Sequence, residues 1–340
     1  MTEAGLRDDL KNPLVSVCIF TYRHADYIAE CIESVLQQKT NFPFEIVIGE
    51  DGSEDGTGEI CEKYAKQYPG KIRLFRRSRK DVIYINGTAT GRFNFVETMK
   101  ASNGDYIAML DGDDYWSDPL KLQKQVDILE AHPDGICCHH WQKIAVINAE
   151  GKYEEKEAPR EGQGYHPAKV ATVREIFSNQ LRIKSRAALF RNIFKKDFTL
   201  PDWFFKAQFG DVPLSMILGQ FGNFYFIDEE MAVYRMTGSG LSTVGIRSND
   251  HAFRHFMEWI RIWEFGNLHH ENKFKKEATG TIFYFYRTIF EKYNFSFHFF
   301  RRMFRHSIAG SQLPFFTRLR ISAWLTTGFI RGRFRRKRSA

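Results

Sequence analysis

Tyr106–Asp114 reads YIAMLDGDD, five apolar residues running straight into three carboxylates and a glycine. A short, unbroken apolar run reads as a buried strand. In sheets of parallel strands, ligands bind beyond the carboxyl ends, so this strand aims acid at a site. Residues two apart on a strand face the same way. Asp111 and Asp113 are therefore expected to reach one hard cation, while Gly112 lets a group approach the backbone closely. Mg²⁺ or Mn²⁺ is typically held by one or two carboxylates plus substrate phosphates. The alternative is an acidic turn that caps a following helix starting at Asp118-Pro119.

Upstream lies a second strand end of the same kind. Phe44–Ile48 (FEIVI) runs into Glu50-Asp51-Gly52-Ser53. Asp51 there can accept a hydrogen bond from an imide N–H of a uracil or thymine ring, or it can cap the next helix. Around these two ends, apolar strands alternate with helical stripes. Leu14–Phe20 (LVSVCIF) is a buried strand, followed by a helix over Tyr27–Gln38 that Asp26 can cap. A helix to about Tyr68, a strand at Ile72–Phe75, a helix over Phe93–Ala101 and a helix over Leu120–Ala131 complete the series. Gly135–Gln142 is a further strand, and Asn148–Gly164, rich in Glu and Gly, reads as a loop or linker. Such alternation predicts an α/β fold, a Rossmann-like, mainly parallel sheet with helices on both faces.

At 340 residues the chain holds about two domains, or one with an appendage. Its net charge of +8 is unevenly placed. Glu271–Ala340 carries 16 Lys/Arg against 3 Glu and 17 aromatic residues, so the first 270 residues are slightly acidic. Five cysteines in this length are no disulfide framework, which fits a reducing compartment. No apolar run reaches 18 residues, and Met1–Pro13 has no apolar core of the secretory kind. The turn after the first strand, Phe20-Thr21-Tyr22-Arg23-His24, is not G-x-G-x-x-G, which argues against a nicotinamide-dependent dehydrogenase. There is no P-loop lysine motif and no G-x-S-x-G nucleophile elbow. Cys137-Cys138-His139-His140 lacks zinc-site spacing.

Together, VSVCIFTYRHADYIAECIESVLQQ, IVIGEDGSEDGT and ASNGDYIAMLDGDDYWSDPLKLQKQ resemble the family 2 glycosyltransferases of bacterial polysaccharide and lipopolysaccharide synthesis, which have the GT-A fold. The resemblance covers Leu14–Ala131, about a third of the chain. It implies that Phe20, Thr21 and Tyr22 contact the nucleotide base and that Asp51 binds it. It implies that Asp111 and Asp113 form the D-x-D motif on ribose, diphosphate and metal (Mn²⁺ or Mg²⁺), with Asp114 and Trp116 flanking the sugar pocket. Phe209–Leu214 resembles the motif whose carboxylate, here Asp211, is the catalytic base; Asp211 can also be read as a helix cap. Tyr234-Arg235 with Gly240 and Ser242 resembles the late loop over the donor. Two departures stand out: Glu50 replaces the usual first Asp of a pair, and Thr237 occupies a position that is often His near the metal. The family is inverting, moving a sugar from a nucleoside diphosphate, here expected to be uridine, to a hydroxyl. The Q-x-x-R-W motif of processive synthases is absent, so a single addition is expected.

The resulting organisation is a glycosyltransferase domain over 1–248, with a nucleotide-sugar half at 14–140 and an acceptor half at 141–248, then a helical, basic, aromatic region at 249–340. In the tail, Phe315, Leu319, Ala323 and Ile330 fall near one helical stripe with Phe316 and Trp324 beside it, ahead of the Arg331–Arg338 cluster. Such helices can lie in the headgroup region of anionic membranes, or their aromatics can pack on the catalytic domain. Expected partners are a nucleotide-sugar donor, a saccharide or lipid-linked acceptor and an anionic membrane, without nucleic acid. The expected location is cytoplasmic, peripheral on the inner face of the cell membrane. The alternative is a membrane- or nucleic-acid-binding protein with a catalytically inactive nucleotide-sugar fold.

Overall fold

Strand β1 (Val15–Thr21) is buried along its whole length, and its alternate residues face different helices. Val15, Val17 and Ile19 join one core cluster with Ile28, Cys31, Ile32 and Val35 of α1 (Ile28–Leu36). On the other face, the Phe20 ring lies 4.6 Å from Phe95. Each such aliphatic side chain, fully withdrawn from water, contributes about 1.5–3 kcal/mol. The computed structural model describes residues 12–148, 150–158, 168–196, 198–237, 249–292, 297–311 and 315–338. The chain divides into two units, Met1–Ile176 with Gln180–Thr237, and Phe177–Asn179 with Gly238–Ala340.

In the first unit β1 and α1 are followed by β2 (Phe44–Glu50), α2 (Thr57–Gln67), β3 (Ile72–Arg76), β4 (Ile83–Ile85), β5 (Thr88–Thr90), α3 (Arg92–Lys100) and β6 (Tyr106–Asp111). Then come β7 (Tyr115–Trp116), α4 (Lys121–Ala131), β8 (Gly135–Ile147), β9 (Tyr153–Glu157), β10 (Val170–Ala171), α5 (Val173–Phe177), β11 (Leu189–Arg191), α6 (Asp211–Leu218) and β12 (Asn223–Arg235). The main sheet runs β10-β12-β8-β11-β6-β1-β2-β3. Its strands β3, β2, β1 and β6 are mutually parallel, as are β8 and β12, while β11 runs antiparallel between β6 and β8. From β1 the chain steps outward through β2 to β3, then returns to β1's other side as β6. That reversal makes the C-terminal ends of β1 and β6 the switch point at which ligands bind in such sheets.

Two expectations need correction. Asp26 does not cap α1: the N-cap is Tyr27, without a side-chain bond. The Tyr27 and Ile28 amides are accepted by the His24 carbonyl at 2.9 and 2.8 Å, so the turn that leads into α1 carries the N-cap one residue past Asp26. Within Asn148–Gly164, a stretch read as loop, Tyr153–Glu157 is strand β9, paired antiparallel with β8. Its side chains are mostly exposed and polar, and Glu155 is held by Tyr115 Oη at 2.6 Å and Lys143 Nζ at 3.0 Å. A polar ribbon of this kind has no hydrophobic period.

At the sheet's N-terminal end, the buried Glu45 accepts from Ser16 Oγ (2.6 Å), Asn103 N (2.8 Å) and Arg73 Nη1 (2.9 Å). All five cysteines are buried free thiols, and burial pushes Cys18, Cys61 and Cys138 up to about 12.

The second unit holds α7 (Asn249–His269), α8 (Lys275–Lys292), α9 (Phe297–Arg305), a π-helical turn at His306–Gly310 and α10 (Phe315–Arg338). Much of the aromatic excess forms its core. Trp263 stacks edge-on against Phe285 at 5.3 Å, and Ile260, Ile282, Tyr286, Met303, Ile321 and Leu325 are buried. Trp324, placed by the sequence reading beside the apolar stripe of the tail, sits edge-on to Phe283 at 5.6 Å. Among the described residues, no helix is long and apolar enough to cross a membrane.

Gly104 closes the turn into β6 against β1. A Cβ there would lie 2.5 Å from Ser16 N and 2.7 Å from Val15 C, backbone atoms that cannot swing away. Gly104→Ala is expected to lower stability by about 1–3 kcal/mol, read as a shifted midpoint in urea unfolding.

Candidate active site

The loop after β1 is zipped to the loop after β2. Three successive amides, Arg23, His24 and Ala25, donate to Ser53 Oγ (2.9 Å), Thr57 Oγ1 (2.9 Å) and Asp55 Oδ2 (3.1 Å). Arg23 is held at φ +57° in doing so. The Ser-Glu-Asp-Gly-Thr run thus supplies acceptors at alternate positions, and it sets where Thr21, Tyr22 and Asp51 sit. Glu50 is fully buried and accepts the Ser53 amide at 2.6 Å.

Asp51 lies just past β2, and its amide bonds the Thr21 carbonyl at 3.0 Å. It caps no helix, for the N-cap of α2 is Gly56. Its side chain is almost wholly buried beside Arg79, whose Nη1 donates to Asp51 Oδ2 at 2.6 Å. The same guanidinium lies over the Tyr22 ring, 4.2 Å from the centroid. Burial pushes the Asp51 carboxyl up to about 6, against the pull of Arg79.

β6 ends at Asp111, in register with Phe20. The Asp114 amide bonds back to the Asp111 carbonyl at 3.0 Å, closing a turn. Asp113 therefore sits in that turn, and the strand-spacing argument for pairing it with Asp111 does not apply. Nor does the turn cap α4, whose N-cap is Leu120. Asp111 Oδ2 accepts from Ser185 Oγ at 2.5 Å. Asp113 Oδ2 faces His24 Nε2 at 3.9 Å, and His24 Nδ1 is bonded to Thr21 Oγ1 at 3.2 Å. Burial, then the Asp111 charge, pushes Asp113 up to about 6. The close approach expected at Gly112 is by the protein itself: a Cβ there would meet Thr21 Oγ1 at 2.6 Å and His24 Nδ1 at 2.9 Å.

Asp114 and Trp116 are placed differently. Asp114 is completely buried, ion-paired with Arg186 and accepting the Arg235 amide at 2.9 Å. Arg186 also reaches Gln142 Oε1 at 2.6 Å, and Arg235 Nη1 donates to the Asp113 carbonyl at 2.6 Å. Trp116 is buried in the core cluster and donates to the Arg186 carbonyl at 3.1 Å. Phe20 is likewise nearly buried.

Asp211 is the first residue of α6, whose N-cap is Gly210, and its Oδ1 accepts the Val212 amide at 2.9 Å. Its charge bears on Lys184, the residue before the Ser185 that holds Asp111. It also bears on the buried Arg92, whose Nη2 donates to the Ala207 carbonyl at 2.7 Å. A Cβ on Gly210 would meet Arg92 Nη1 at 2.6 Å. Gly240 and Ser242 lie outside the described residues.

The switch point thus gathers Thr21, Tyr22, Asp51, Asp111 and Asp113. It adds His24, Arg79, Ser185 and Arg186, which the sequence reading left unassigned to the site, and Arg235, which the family resemblance places in the late loop. Of the unassigned four, only the arginine run Arg76–Arg79 behind β3 and His24 in the β1 turn gave any signal. Among the described residues, no three His, Cys, Asp or Glu side chains converge to hold a metal unaided.

A mainly parallel sheet with acidic turns at its switch point is the architecture of GT-A proteins, and solved structures of that fold resemble it. The sequence profile of Glycosyl transferase family 2 matches residues 16–198, more than half of the chain. The chain belongs to that family. It is 37% identical over 134 residues to the putative glycosyltransferase EpsE of Bacillus subtilis, covering 39% of this chain and 42% of that protein. The matches span 30% to 42% of the length of such curated relatives. In fold it resembles S. aureus TarS 1–349 in complex with UDP-GlcNAc (TM-score 0.56, 17% identity, covering 87% of this chain and 75% of that one). It also resembles the mannosyltransferase PcManGT of Pyrobaculum calidifontis in complex with GDP-Man and Mn²⁺ (TM-score 0.53, 16% identity, covering 94% and 86%).

Removing one partner of a buried ion pair strands the other, which typically costs about 3–5 kcal/mol. Asp114→Ala is expected to destabilise by that order, and Asp114→Asn by less, since an amide oxygen still accepts the Arg235 N–H. Chemical unfolding of both variants measures the difference.

Proposed function

We propose that the chain is an inverting, metal-dependent transferase that moves a sugar from a nucleoside diphosphate, with uridine as the base, to a hydroxyl of a saccharide or lipid-linked saccharide in surface polysaccharide synthesis. The supporting observation is the meeting at one switch point of two acidic strand ends with different surroundings, Asp51 beside a guanidinium and Asp111 with Asp113 beside an imidazole. A carboxylate next to an Arg donor complements the N–H and carbonyl of an imide edge, so Asp51 and Arg79 suit uracil, with Tyr22 and Thr21 beside them. UDP-GlcNAc in the similar TarS supports that choice. The names of the relatives EpsE and a teichuronic acid glycosyltransferase of Bacillus subtilis support the polysaccharide setting.

The donor set at β6 fits a divalent cation: two hard carboxylates whose like charges a cation offsets, and too few ligands without substrate phosphates to complete it. Asp113, with Asp111, would hold it. A cation bound there supplies Lewis-acid stabilisation of charge on the departing diphosphate, and Mn²⁺ in the similar PcManGT supports this assignment. Asp211 takes the proton from the acceptor hydroxyl, which then attacks the anomeric carbon from the face opposite the leaving group. In this reading residues 1–248 form the transferase domain, with 14–140 for the donor and 141–248 for the acceptor. Residues 249–340 keep the enzyme at the inner face of a membrane.

General-base assistance is typically worth about 10²–10⁴-fold. Asp211→Asn should lower kcat by that range with donor KM nearly unchanged, and EDTA should stop transfer by the native chain. Both are measured as product formed from UDP-sugars and a saccharide acceptor. An EDTA-resistant transferase overturns the metal role, and an Asp211→Asn variant at native rate moves the base elsewhere.

A second outcome follows from Asp51. Its ionised form accepts an imide N–H more strongly than the neutral acid does. With the carboxyl near 6, UDP affinity should weaken as pH falls below about 6, by up to about tenfold per pH unit. Calorimetry on the native chain and on Asp51→Asn checks this, because titration of the diphosphate is common to both and cancels.

A further inference from the structure

We infer that the π-helical turn His306–Gly310 and the first turn of α10 form a preformed apolar wedge that enters the headgroup–acyl boundary of an anionic bilayer. The inference deepens the membrane association proposed above and rests on that reading for its biological purpose. Phe316 is 79% exposed, Phe315 60%, Leu319 45% and Ile308 42%. The two segments are joined, since Arg318 Nη1 donates to the Ile308 carbonyl at 2.8 Å. Four large apolar side chains within twelve residues of sequence make a patch, whereas single exposed apolar residues need no explanation.

The patch is built on a fixed base. Beneath it Tyr286 Oη bonds His306 Nδ1 at 2.9 Å, Ser307 Oγ bonds Ser322 Oγ at 2.8 Å, and Ser311 Oγ donates to the buried Glu264 at 2.6 Å. The inward side of α10 is already committed, with Ile321 and Leu325 buried. π-turns are frequent at functional sites, and here the turn that ends α9 carries the exposed Ile308.

Charge selects the occupant. From Lys292 to the C-terminus the chain has twelve Lys/Arg and no Asp or Glu. A second copy of the chain would set this excess against itself. Nucleic acid would match the charge and could stack on Phe315 and Phe316, but the aliphatic half of the patch, Ile308 and Leu319, offers a base no ring. Acyl chains accept aliphatic and aromatic side chains alike, and anionic headgroups meet the arginines around them.

The test is co-sedimentation of the full chain with vesicles of phosphatidylcholine alone and of phosphatidylcholine mixed with phosphatidylglycerol, across salt. The native chain should bind the anionic vesicles, and part of that binding should survive salt. Phe315→Ser with Phe316→Ser should weaken it about tenfold or more and leave a remainder that salt removes. Tyr84→Ser, an exposed aromatic elsewhere, should change nothing. Phe316→Trp should bind as the native chain does, with its added indole emission quenched by brominated acyl chains. The double variant binding as tightly as the native chain overturns the wedge, as does native binding that salt abolishes completely; the second result leaves membrane association to the C-terminal basic residues. Dimerisation lost in the double variant, or preference for RNA over vesicles, also overturns it. Transfer to a soluble acceptor should be intact in every variant, so loss of the wedge and loss of the catalytic reading are told apart.

Discussion

The site depends on one buried charge pair, Asp114 with Arg186. Two ions withdrawn from water cost several kcal/mol each unless their remaining hydrogen-bonding positions are filled. Here they are filled by chain elements far apart in sequence: the Arg235 amide on Asp114, and Gln142 on Arg186. Satisfying Asp114 therefore requires β12, β8 and the turn around Arg186 to be in place together. Once they are, the turn after β6 is fixed, and the two neighbouring carboxylates, Asp111 and Asp113, are held at the switch point. The most acidic motif of the chain divides its labour, one member spent on structure so that the others are held in place.

A second constraint acts on the other strand end. The amides of Arg23, His24 and Ala25 have no strand to join, and side chains of the β2 loop accept all three. A loop tied in this way does not have to order itself around a ligand, which removes a cost of binding. His24, fixed through its amide and through Thr21, turns its free edge toward Asp113. The Asp51 end and the Asp111–Asp113 end are thus coupled through one short turn of backbone, and Gly112 is the residue that lets that turn approach.

The sheet and most of its helices were legible because buried parallel strands leave continuous apolar runs, and Leu14–Phe20, Phe44–Ile48 and Tyr106–Leu110 are such runs. The two acidic strand ends were legible for the same reason, although a carboxylate closing an apolar strand reads equally as a helix cap until the neighbouring helix starts, Gly56 and Leu120, are seen. What sequence could not show was partnership at a distance. Arg186 stands 72 residues from Asp114 with no local pattern to mark it, and Arg235, 121 residues away, was marked by the late-loop motif but not as a partner of Asp114. Asp114 and Trp116, named with the sugar pocket through the family pattern, lie buried in the core. The β4–β5 hairpin escaped attention although Asn86-Gly87, both at positive φ, is a strong two-residue turn signal. The tail was half legible: its amphipathic character was plain, but which apolar side faces inward depends on neighbours such as Phe283, which the helix alone does not reveal.

The five cysteines have a practical consequence for anyone who handles the protein. Every thiol is buried, and those at Cys18, Cys61 and Cys138 ionise only near 12. Thiolate is the reacting species, so at neutral pH these sulfurs present almost none of it to an alkylating reagent. The native chain is therefore already a quiet background for site-directed labelling. One cysteine placed on an exposed turn would carry a fluorophore or spin label alone, with no native residue first having to be removed from the core.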